Sequence, residues 1–479
     1  MTSENNGLMN TQCTAEQLEF HTLGRRAVVG KFDGGRITSD GGGVLLREVE
    51  QRFHIMKRFS DCFIDHRNPE LIEHTVESLL KQRIFGIALG YEDLNDHDAL
   101  RQDALLALLS EKEDPAGNDR LRKQDNGKAL AGKSTLNRLE LTPLNANGKS
   151  RYKKIVANPV AMDNLLVDLF VESLETPPAE IVLDVDATDD PLHGNQEGRF
   201  FHGYYKNYCY LPLYIFCGEQ LLCARLRTAD QDGAAGTVEE ITRIVAQIRL
   251  AWPEVRIILR GDSGFCRDDI MTWCETHRID YVLGLAKNNR LKKEIKIEMA
   301  QAKQHHEATG EAARVFKDFR YRTLKSWSCE RRVVGKAEYL GKGENPRFVV
   351  SSVGIEEQSA RQLYEDFYCR RGDMENRIKE QQLSLFADRT STSEMRANQL
   401  RLYFSSMAYV LVQTLRRVGL EGTALEKAQC DTIRLKLFKV GARIKISVRK
   451  VWISFSESYP YADLFQQVFI KLQQIPLRC

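Results

Sequence analysis

Acidic side chains occur within or directly after two apolar segments of this 479-residue chain, and both segments are typical of buried strands. In residues 181–187, Asp184 and Asp186 are two positions apart, so both carboxylates point to the same face of a strand. Residues 255–259 lead into Asp262. A carboxylate on an apolar strand is costly unless it is paired or binds a metal, and open α/β sheets place their sites at strand ends. Either Asp184 or Asp186 could therefore join Asp262 in a metal site.

A third acidic position lies in a segment with helical periodicity. Spacings of three, four and four residues place Tyr368, Arg371, Glu375 and Lys379 on one face of a helix. A Glu375–Lys379 surface ion pair would explain two of them. Carboxylates from two strands and a helix can also hold two Mg²⁺ ions, which prefer oxygen ligands and bind substrate phosphates. Such a pair of ions promotes phosphodiester cleavage, and Arg371 and Lys379 could then hold the phosphate.

These residues need a sheet to position them, and the sequence from residue 181 onward predicts one. The order is β-β-β-α-β-α-β, which gives a mixed sheet with helices packed against it. The predicted elements are strands at 181–187, 208–217 and 220–227, a helix at 237–251, a strand at 255–259, a helix at 268–277 and a strand at 281–286.

The remaining sequence divides into regions of different character. Alternating apolar and polar residues in 313–353 predict a β-rich insertion, and long helices are predicted at 357–382 and 393–418. In the tail, segments 433–438 and 444–448 are strand-like, with basic residues alternating with apolar ones. The predicted regions are a mainly helical N-terminal DNA-binding region 1–155, a first core part 156–290, the insertion 291–355, a second core part 356–420 carrying the glutamate helix, and a basic α+β region 421–479.

The composition is that of an ordinary globular protein, with 42% hydrophobic and 28% charged residues, which excludes a wholly disordered chain. The net charge of +3 hides a strong asymmetry. Residues 1–100 carry 11 basic and 16 acidic side chains, residues 286–355 carry 16 and 8, and residues 396–479 carry 14 and 5. Two basic regions on either side of the glutamate helix favour a polyanionic partner.

Several other classes of protein are disfavoured. Residues 127–134 match the ATP-binding pattern G-x4-G-K-[ST], but residues 118–126 before them are not a buried strand, so the loop would lack its required context and no ATP is expected. Lys133 is instead interpreted as part of a surface that faces solvent or DNA. The sequence contains no run of 18 apolar residues, so no membrane span is predicted. Residues 1–12 do not resemble a signal peptide. The eleven cysteines follow no spacing pattern, which is typical of a protein in a reducing cytoplasm.

Three groups of residues together resemble the DDE motifs of bacterial insertion-sequence transposases that bear the Y-x2-R-x3-E signature. They are Asp186-Ala187-Thr188, Asp262-Ser263-Gly264, and Tyr368, Arg371 and Glu375 at that spacing. Residues 183–191, 193–198 and 260–265 look more specifically like insertion-sequence family thirteen-eighty, as do residues 441–443 and 451–452. The resemblance extends over essentially the whole chain.

The resemblance implies an RNase H-like catalytic core interrupted by a β-rich insertion before the glutamate helix. It implies that Asp186, Asp262 and Glu375 are the catalytic and metal-binding triad for two Mg²⁺ ions, with Mn²⁺ as a substitute. Tyr368, Arg371 and Lys379 would contact DNA phosphate. The wider signature has a lysine seven residues after the glutamate, where this sequence has Gln382, and Lys379 stands one turn earlier.

The function that follows is that of a DNA transposase, which would bind terminal inverted repeats, cleave DNA and join its 3′-OH ends to target DNA. A homodimer would pair the two DNA ends. The protein is expected in the bacterial cytoplasm, associated with the nucleoid and not with a membrane. Basic segments including Lys133 and Arg443 would contact DNA, and Trp327 is a candidate for stacking on an unpaired base or for a core position. The alternatives are an RNase H-fold nuclease without strand transfer and a DNA-binding relative without catalysis.

Overall fold

The computed structural model describes residues 17–477. Residues 1–16 and 478–479 lie outside the described part, and with them the segment 1–12 for which no signal peptide is predicted. No helix of residues 17–477 is long and apolar enough to cross a membrane.

Helices predominate in the first third of the described chain. The longest of them before residue 150 is capped at both ends, by the Thr75 hydroxyl, which accepts from the Ser78 amide at 3.1 Å, and by Gly90 with a φ of 99°. The elements are β1 (Gln17–Leu23), β2 (Arg26–Lys31), β3 (Arg36–Thr38), α1 (Val44–Phe53), α2 (Ile55–Ser60), β4 (Phe63–Asp65), α3 (Val76–Leu89), α4 (Asp96–Leu100), α5 (Ala104–Leu109), α6 (Lys133–Glu140), β5 (Ile155–Ala157) and α7 (Pro159–Val171).

The middle of the chain contains the predicted strands and helices, together with strands β7 and β8 and helices α10 and α11, which the sequence did not predict. Its elements are β6 (Glu180–Ala187), β7 (Asp190–Pro191), β8 (Phe200–His202), β9 (Asn207–Tyr210), β10 (Leu213–Cys217), β11 (Gln220–Arg225), α8 (Thr237–Ala251), β12 (Arg256–Gly261), α9 (Asp268–Thr276), β13 (Asp280–Leu285), α10 (Asn289–Glu294), α11 (Lys296–Thr309), β14 (Ala313–Tyr321), β15 (Arg331–Leu340), β16 (Gly343–Glu344) and β17 (Arg347–Ser351).

Within the described residues these strands form a nine-stranded mixed sheet with the order β11-β10-β6-β12-β13-β17-β15-β14, and β16 pairs with β15. Strands β6, β12 and β13 are parallel to one another, and the other neighbours are antiparallel. The predicted mixed α/β architecture is therefore confirmed. Strand β17 of the proposed insertion pairs with β13, and β15 and β14 continue the same sheet beyond it. The division of the chain into five regions stays a prediction.

The predicted strand 208–217 is in fact two strands in two different sheets. β9 pairs with β7 and β8, whereas β10 joins the large sheet beside β6. The break falls at Pro212, which has no amide hydrogen to donate to a neighbouring strand. This interruption lets the chain leave the large sheet between β6 and β10.

The two faces of the sheet bury alternate residues, as the period of a strand requires. Ile257 and Leu259 of β12 belong to one core cluster, and Ile258 between them packs on the other face with Leu363 and Tyr364. The segment that carries Glu375 is thereby anchored on the second face of the sheet.

This segment is less regular than the single helix predicted for 357–382. It consists of a π-helical turn (Gln362–Phe367), a 3-10 turn (Tyr368–Arg371), α12 (Gly372–Lys379) and another π-helical turn (Glu380–Ser384). The next helix, α13 (Met395–Leu415), is buried along most of its length and packs against α3.

In the tail, the prediction of a strand at 433–438 is wrong. Residues Cys430–Ile433 form α14 and Arg434–Phe438 continue it as a π-helical turn, because the Arg434 guanidinium is held by the carbonyls of Ala88 and Ile87 at the end of α3. The second predicted strand exists as β18 (Ala442–Ile446), which pairs with β19 (Val451–Phe455) and with β3; α15 (Ala462–Gln473) follows.

Candidate catalytic site at the ends of two parallel strands

Asp186 and Asp262 lie at the same end of neighbouring parallel strands. In the register of β6 and β12, Val185 is opposite Gly261, so the next residue of each strand is one of these two carboxylates. Asp262 begins a tight turn in which its Oδ1 accepts a hydrogen bond from the Gly264 amide at 2.7 Å. A Cβ at position 264 would lie 2.9 Å from that oxygen, which explains the glycine.

Glu375 of α12 reaches the same place through Arg371. The Nη1 of Arg371 lies 3.1 Å from Oδ2 of Asp186, and its Nη2 donates to Oε1 of Glu375. One guanidinium therefore joins a carboxylate of the sheet to a carboxylate of the helix. The sequence predicted Arg371 and Glu375 on one helical face, but it did not predict that Asp186 would be the partner of Arg371.

The electrostatics of Asp186 are those of a crowded carboxylate. Burial, together with the negative charges of Asp262 and Glu375, raises its pKa to about 6 against the opposing effect of Arg371. Within this group Arg371 is the cation that compensates three negative charges. The site therefore carries excess negative charge in a partly buried place.

This donor set suits a hard divalent cation, since it consists of carboxylate oxygens that repel one another. As the side chains stand, no group of three or more His, Cys, Asp and Glu residues in the described part of the chain is arranged to hold a metal ion. The contacts of Arg371 give the physical reason, because its guanidinium takes one oxygen each from Asp186 and Glu375. Both carboxylates would have to exchange this partner in order to bind a cation.

Asp184 has a different environment, although it is only two residues from Asp186. Its two oxygens accept from Nε and Nη2 of Arg260 at 2.6 and 2.8 Å, and Arg260 also donates to the Phe367 carbonyl at 2.6 Å. Both side chains are buried. Asp184 is therefore occupied in a bidentate ion pair that ties β6 and β12 to the segment preceding Glu375.

Tyr368 packs beside the carboxylates, whereas Lys379 lies away from the contacts that Tyr368 makes. The hydroxyl of Tyr368 approaches β13 so closely that a Cβ at Gly284 would lie 2.5 Å from it. Burial, and then the charge of Asp262, raises the pKa of Tyr368. Lys379 is exposed at the end of α12.

Two of the predicted DNA-binding residues have definite partners elsewhere. Lys133 begins α6, where its Nζ lies 3.2 Å from Asp98 Oδ2 and its amide donates to Asp98 Oδ1. The residues before the G-x4-G-K-S segment form turns and a short 3-10 helix (Lys123–Asp125), not a strand. Trp327 is 4% exposed and packs edge-on against Tyr321, so its ring belongs to the core in this structure.

Arg443 is exposed on β18, opposite Ser454 of β19 and Ile37 of β3. This small sheet is formed by the start and the end of the described chain. Its position leaves Arg443 outside the carboxylate group and available at the surface.

One contact of the site region was missed from the sequence. The Nε2 of Gln382 donates to Oδ1 of Asp190 at 2.8 Å and to the Asp189 carbonyl at 3.1 Å. Asp190 is completely buried, and burial raises its pKa to about 8. The sequence signal for this contact is that position 382 is glutamine where the wider signature has lysine. An amide side chain and a long cation make different contacts with a buried carboxyl group.

The family of the chain follows from its similarity to known proteins. No curated protein was found that matches the sequence. A cryo-EM structure titled as the piggyBac transposase synaptic complex with hairpin DNA is similar over 82% of this chain and 79% of that chain, with 11% identity and a TM-score of 0.38. The family model for transposase DDE domain group 1 matches residues 20–477, which is nearly the entire sequence. The chain therefore belongs to the DDE transposase domain family, group 1.

Proposed function

We propose that this protein is the transposase of a bacterial insertion sequence, which binds the terminal inverted repeats of its element, cleaves DNA by hydrolysis and joins the 3′-OH ends to target DNA. The observation that carries the proposal is that Asp186 and Asp262 lie side by side at the ends of β6 and β12, while Arg371 joins Asp186 to Glu375. Within the proposed family thirteen-eighty, these three would be the catalytic triad.

The topology supports an RNase H-like core. In this proposal β6 is the first strand and the centre of a five-stranded core. On one side β10 is antiparallel to β6, and β11 is antiparallel to β10; on the other side β12 and β13 are parallel to β6. Strands β14, β15 and β17 would be the insertion before the glutamate helix. The order places two acidic residues at strand ends, where open α/β sheets hold their ligands.

Asp186, Asp262 and Glu375 would hold the divalent cations, with Mg²⁺ as the natural ion and Mn²⁺ as a substitute. When bound, two such ions activate water and stabilise the leaving 3′ oxygen in phosphodiester cleavage. Asp186 takes part as the carboxylate, so it must lose its proton first. Its pKa, raised to about 6, lies below neutral pH.

Arg371 has two successive roles in this proposal. Without a cation it keeps Asp186 and Glu375 near each other, and once released it is a bidentate donor next to the site of cleavage, suited to a DNA phosphate. Tyr368 fixes the turn that carries Arg371 against β13. Lys379, exposed one turn beyond Glu375, would contact phosphate further along the strand.

Double-stranded DNA would extend over the basic segments 120–154, 286–355 and 421–479, including Lys133 and Arg443. Binding by phosphate contacts of this kind weakens steeply as salt rises. Two copies of the chain would pair the two ends of the element, at the nucleoid. Neither step of hydrolysis and transfer requires ATP.

The test is cleavage and strand transfer with DNA that carries the inverted repeats flanking the gene. In Mg²⁺ the wild-type protein should nick these ends and join them to a second DNA, whereas Asp186→Asn, Asp262→Asn and Glu375→Gln should do neither. Asp373→Asn is the matched control, since Asp373 is exposed on the same helix as Glu375.

Two results would contradict parts of the proposal. Nicking without joined products would favour the nuclease that does not transfer strands. Binding of the ends without any cleavage by the wild-type protein would favour the DNA-binding relative without catalysis.

A further inference from the structure

A hairpin beside the candidate catalytic site exposes an unusual number of aromatic rings. It comprises residues 199–210, which contain β8 and β9, and is called the aromatic hairpin below. Its exposed rings are those of Phe200 at 42%, Phe201 at 58%, Tyr204 at 83% and Tyr208 at 44%. Exposed apolar patches on this scale commonly mark binding surfaces.

Four rings of the hairpin form two pairs. Phe201 and Tyr208 are opposite each other in the β8–β9 ladder, with centroids 5.5 Å apart, and the Arg199 guanidinium lies 4.3 Å from the centre of the Tyr208 ring. At the tip, Tyr204 and Tyr205 meet edge to face at 5.0 Å. Each group keeps ring surface open to solvent.

The aromatic hairpin is fixed next to Asp186 by the chain itself. β9 pairs with β7, which begins four residues after Asp186, and β10, which follows β9 after two residues, pairs Tyr214 with Asp186. Tyr205 and Ala187, the neighbour of Asp186, pack against the same small cluster of Cys209, Leu211 and Ala229.

Hydrogen bonding and charge place Tyr205 in the same neighbourhood. Asn207 donates to Asp189 Oδ2 at 3.0 Å, which ties the second strand of the hairpin to the segment after β6. Burial, and then the charges of Asp189, Asp186 and Asp262, raises the pKa of Tyr205 to about 12. Tyr205 and Asn207 of the aromatic hairpin therefore lie in the neighbourhood of these carboxylates.

The chemistry of the surface favours one occupant. Its large exposed side chains are aromatic, without the leucine, isoleucine or methionine of a groove for a protein helix, and Arg199 and the exposed Lys206 add positive charge. Aromatic rings with neighbouring cations stack nucleobases of any sequence while the cations attract the phosphates.

We infer that the aromatic hairpin is a stacking platform for unpaired nucleotides of the DNA strand next to the scissile phosphate. This inference rests on the proposed function for the identity of that DNA. The ligand class is single-stranded DNA, and recognition is by ring stacking and not by sequence.

The first experiment measures binding of fluorescein-labelled (dT)15 and of a 15-base-pair duplex to the full-length protein by fluorescence anisotropy, with EDTA present. Phe201→Ala, Tyr204→Ala and Tyr208→Ala should each weaken (dT)15 binding about tenfold and change duplex binding less than about twofold, as expected for loss of one stacked base. Tyr204→Phe and Tyr208→Phe keep the ring and should bind like wild type. Phe32→Ala is the matched control, because Phe32 is an exposed ring (96%) outside the hairpin.

Three outcomes would overturn the inference. They are unchanged (dT)15 affinity in all three alanine variants, equal weakening of single-stranded and duplex DNA, and a loss of self-association in sedimentation with unchanged DNA affinity, which would make the surface a contact between two copies. Melting temperatures check that the variants fold.

A second experiment locates the contact. A duplex with an overhang of five 5-iodouracil nucleotides is irradiated on the protein, and the cross-linked peptides are identified by mass spectrometry. Cross-links within 199–210 are expected, and cross-links confined to other segments would overturn the inference. Neither the anisotropy nor the cross-linking measurement needs metal. Each can therefore support the stacking platform even if the triad variants contradict the proposed cleavage function. Each can also contradict the platform if the cleavage function is correct.

Discussion

Asp184 and Asp186 are two residues apart on one face of β6, yet they occupy opposite kinds of environment. Asp184 is paired in full with Arg260, whereas Asp186 shares Arg371 with Glu375 and faces Asp262 as well. The first arrangement satisfies a buried charge, and the second leaves negative charge uncompensated. The difference separates a carboxylate that is fully paired within the fold from one that we propose to bind a cation.

Asp190, four residues further on, extends the comparison. Among the described residues, Asp190 has no cationic hydrogen-bond partner. One of its oxygens accepts from the Gln382 amide, and the other is buried without a partner in residues 17–477. Its pKa of about 8 is the consequence, because burial favours the neutral carboxyl. Three carboxylates of one short segment thus have different electrostatic environments because their partners differ.

The largest effect is expected from breaking the Asp184–Arg260 pair. Asp184→Ala leaves the Arg260 guanidinium buried without its counterion, which should lower the free energy of unfolding by about 3–5 kcal/mol. Urea unfolding measures this loss. An Asp184→Ala protein as stable as wild type would show that the pair does not stabilise the fold.

The neighbouring carboxylate should behave in the opposite way. Asp186→Asn should lower DNA cleavage at least about a hundredfold, the order expected for loss of one charged group in a catalytic site. The same change removes a charge that is costly to bury, so the free energy of unfolding should stay level or rise. Parallel cleavage and urea measurements would contradict the comparison if stability and activity fell together.

Arg371 allows the competition between guanidinium and metal to be measured. Arg371→Ala removes the cation that binds Asp186 and Glu375, so Mn²⁺ should bind the DNA-free protein about tenfold more tightly, equivalent to about 1.4 kcal/mol. Calorimetric titration gives the affinity. Arg377→Ala, on the adjoining helix α12, is the control. Equal or weaker Mn²⁺ binding by Arg371→Ala would show that the guanidinium does not compete.

The smallest effect concerns Asp190 and pH. Its pKa is raised in the folded state, so the unfolded chain releases this proton first, and stability is lost as pH rises from about 4 toward about 8. Between pH 6 and 7 this group should cost the wild-type protein about 1 kcal/mol. Asp190→Asn should remove this contribution from the dependence of the free energy of unfolding on pH. Urea unfolding of both proteins at pH 6 and pH 7 measures the difference. The same pH dependence in both proteins would contradict the assignment.

The strand and helix order of the middle of the chain follows closely from local patterns. The predicted helix 237–251 matches α8 at both ends, and the apolar strands 181–187 and 255–259 appear as β6 and β12. The two strands are recognisable because strands in the centre of a sheet are buried on both faces and are therefore apolar along their length. The tail segment 433–438 was mistaken for a strand, since its alternating basic residues fit either period and the contact of Arg434 with α3 is far away in sequence.

For the site, the sequence by itself determined the chemistry: three carboxylates, an arginine and a tyrosine at spacings typical of DDE transposases, together with the family that the whole chain matches. Only the tertiary structure decided how the charges are distributed. It paired Asp184 with Arg260, Asp186 with Arg371 and Asp190 with Gln382, and it placed the aromatic hairpin beside them. The physical reason is that a carboxylate's partner and its burial are set by residues up to 192 positions away in the chain, which no local pattern contains.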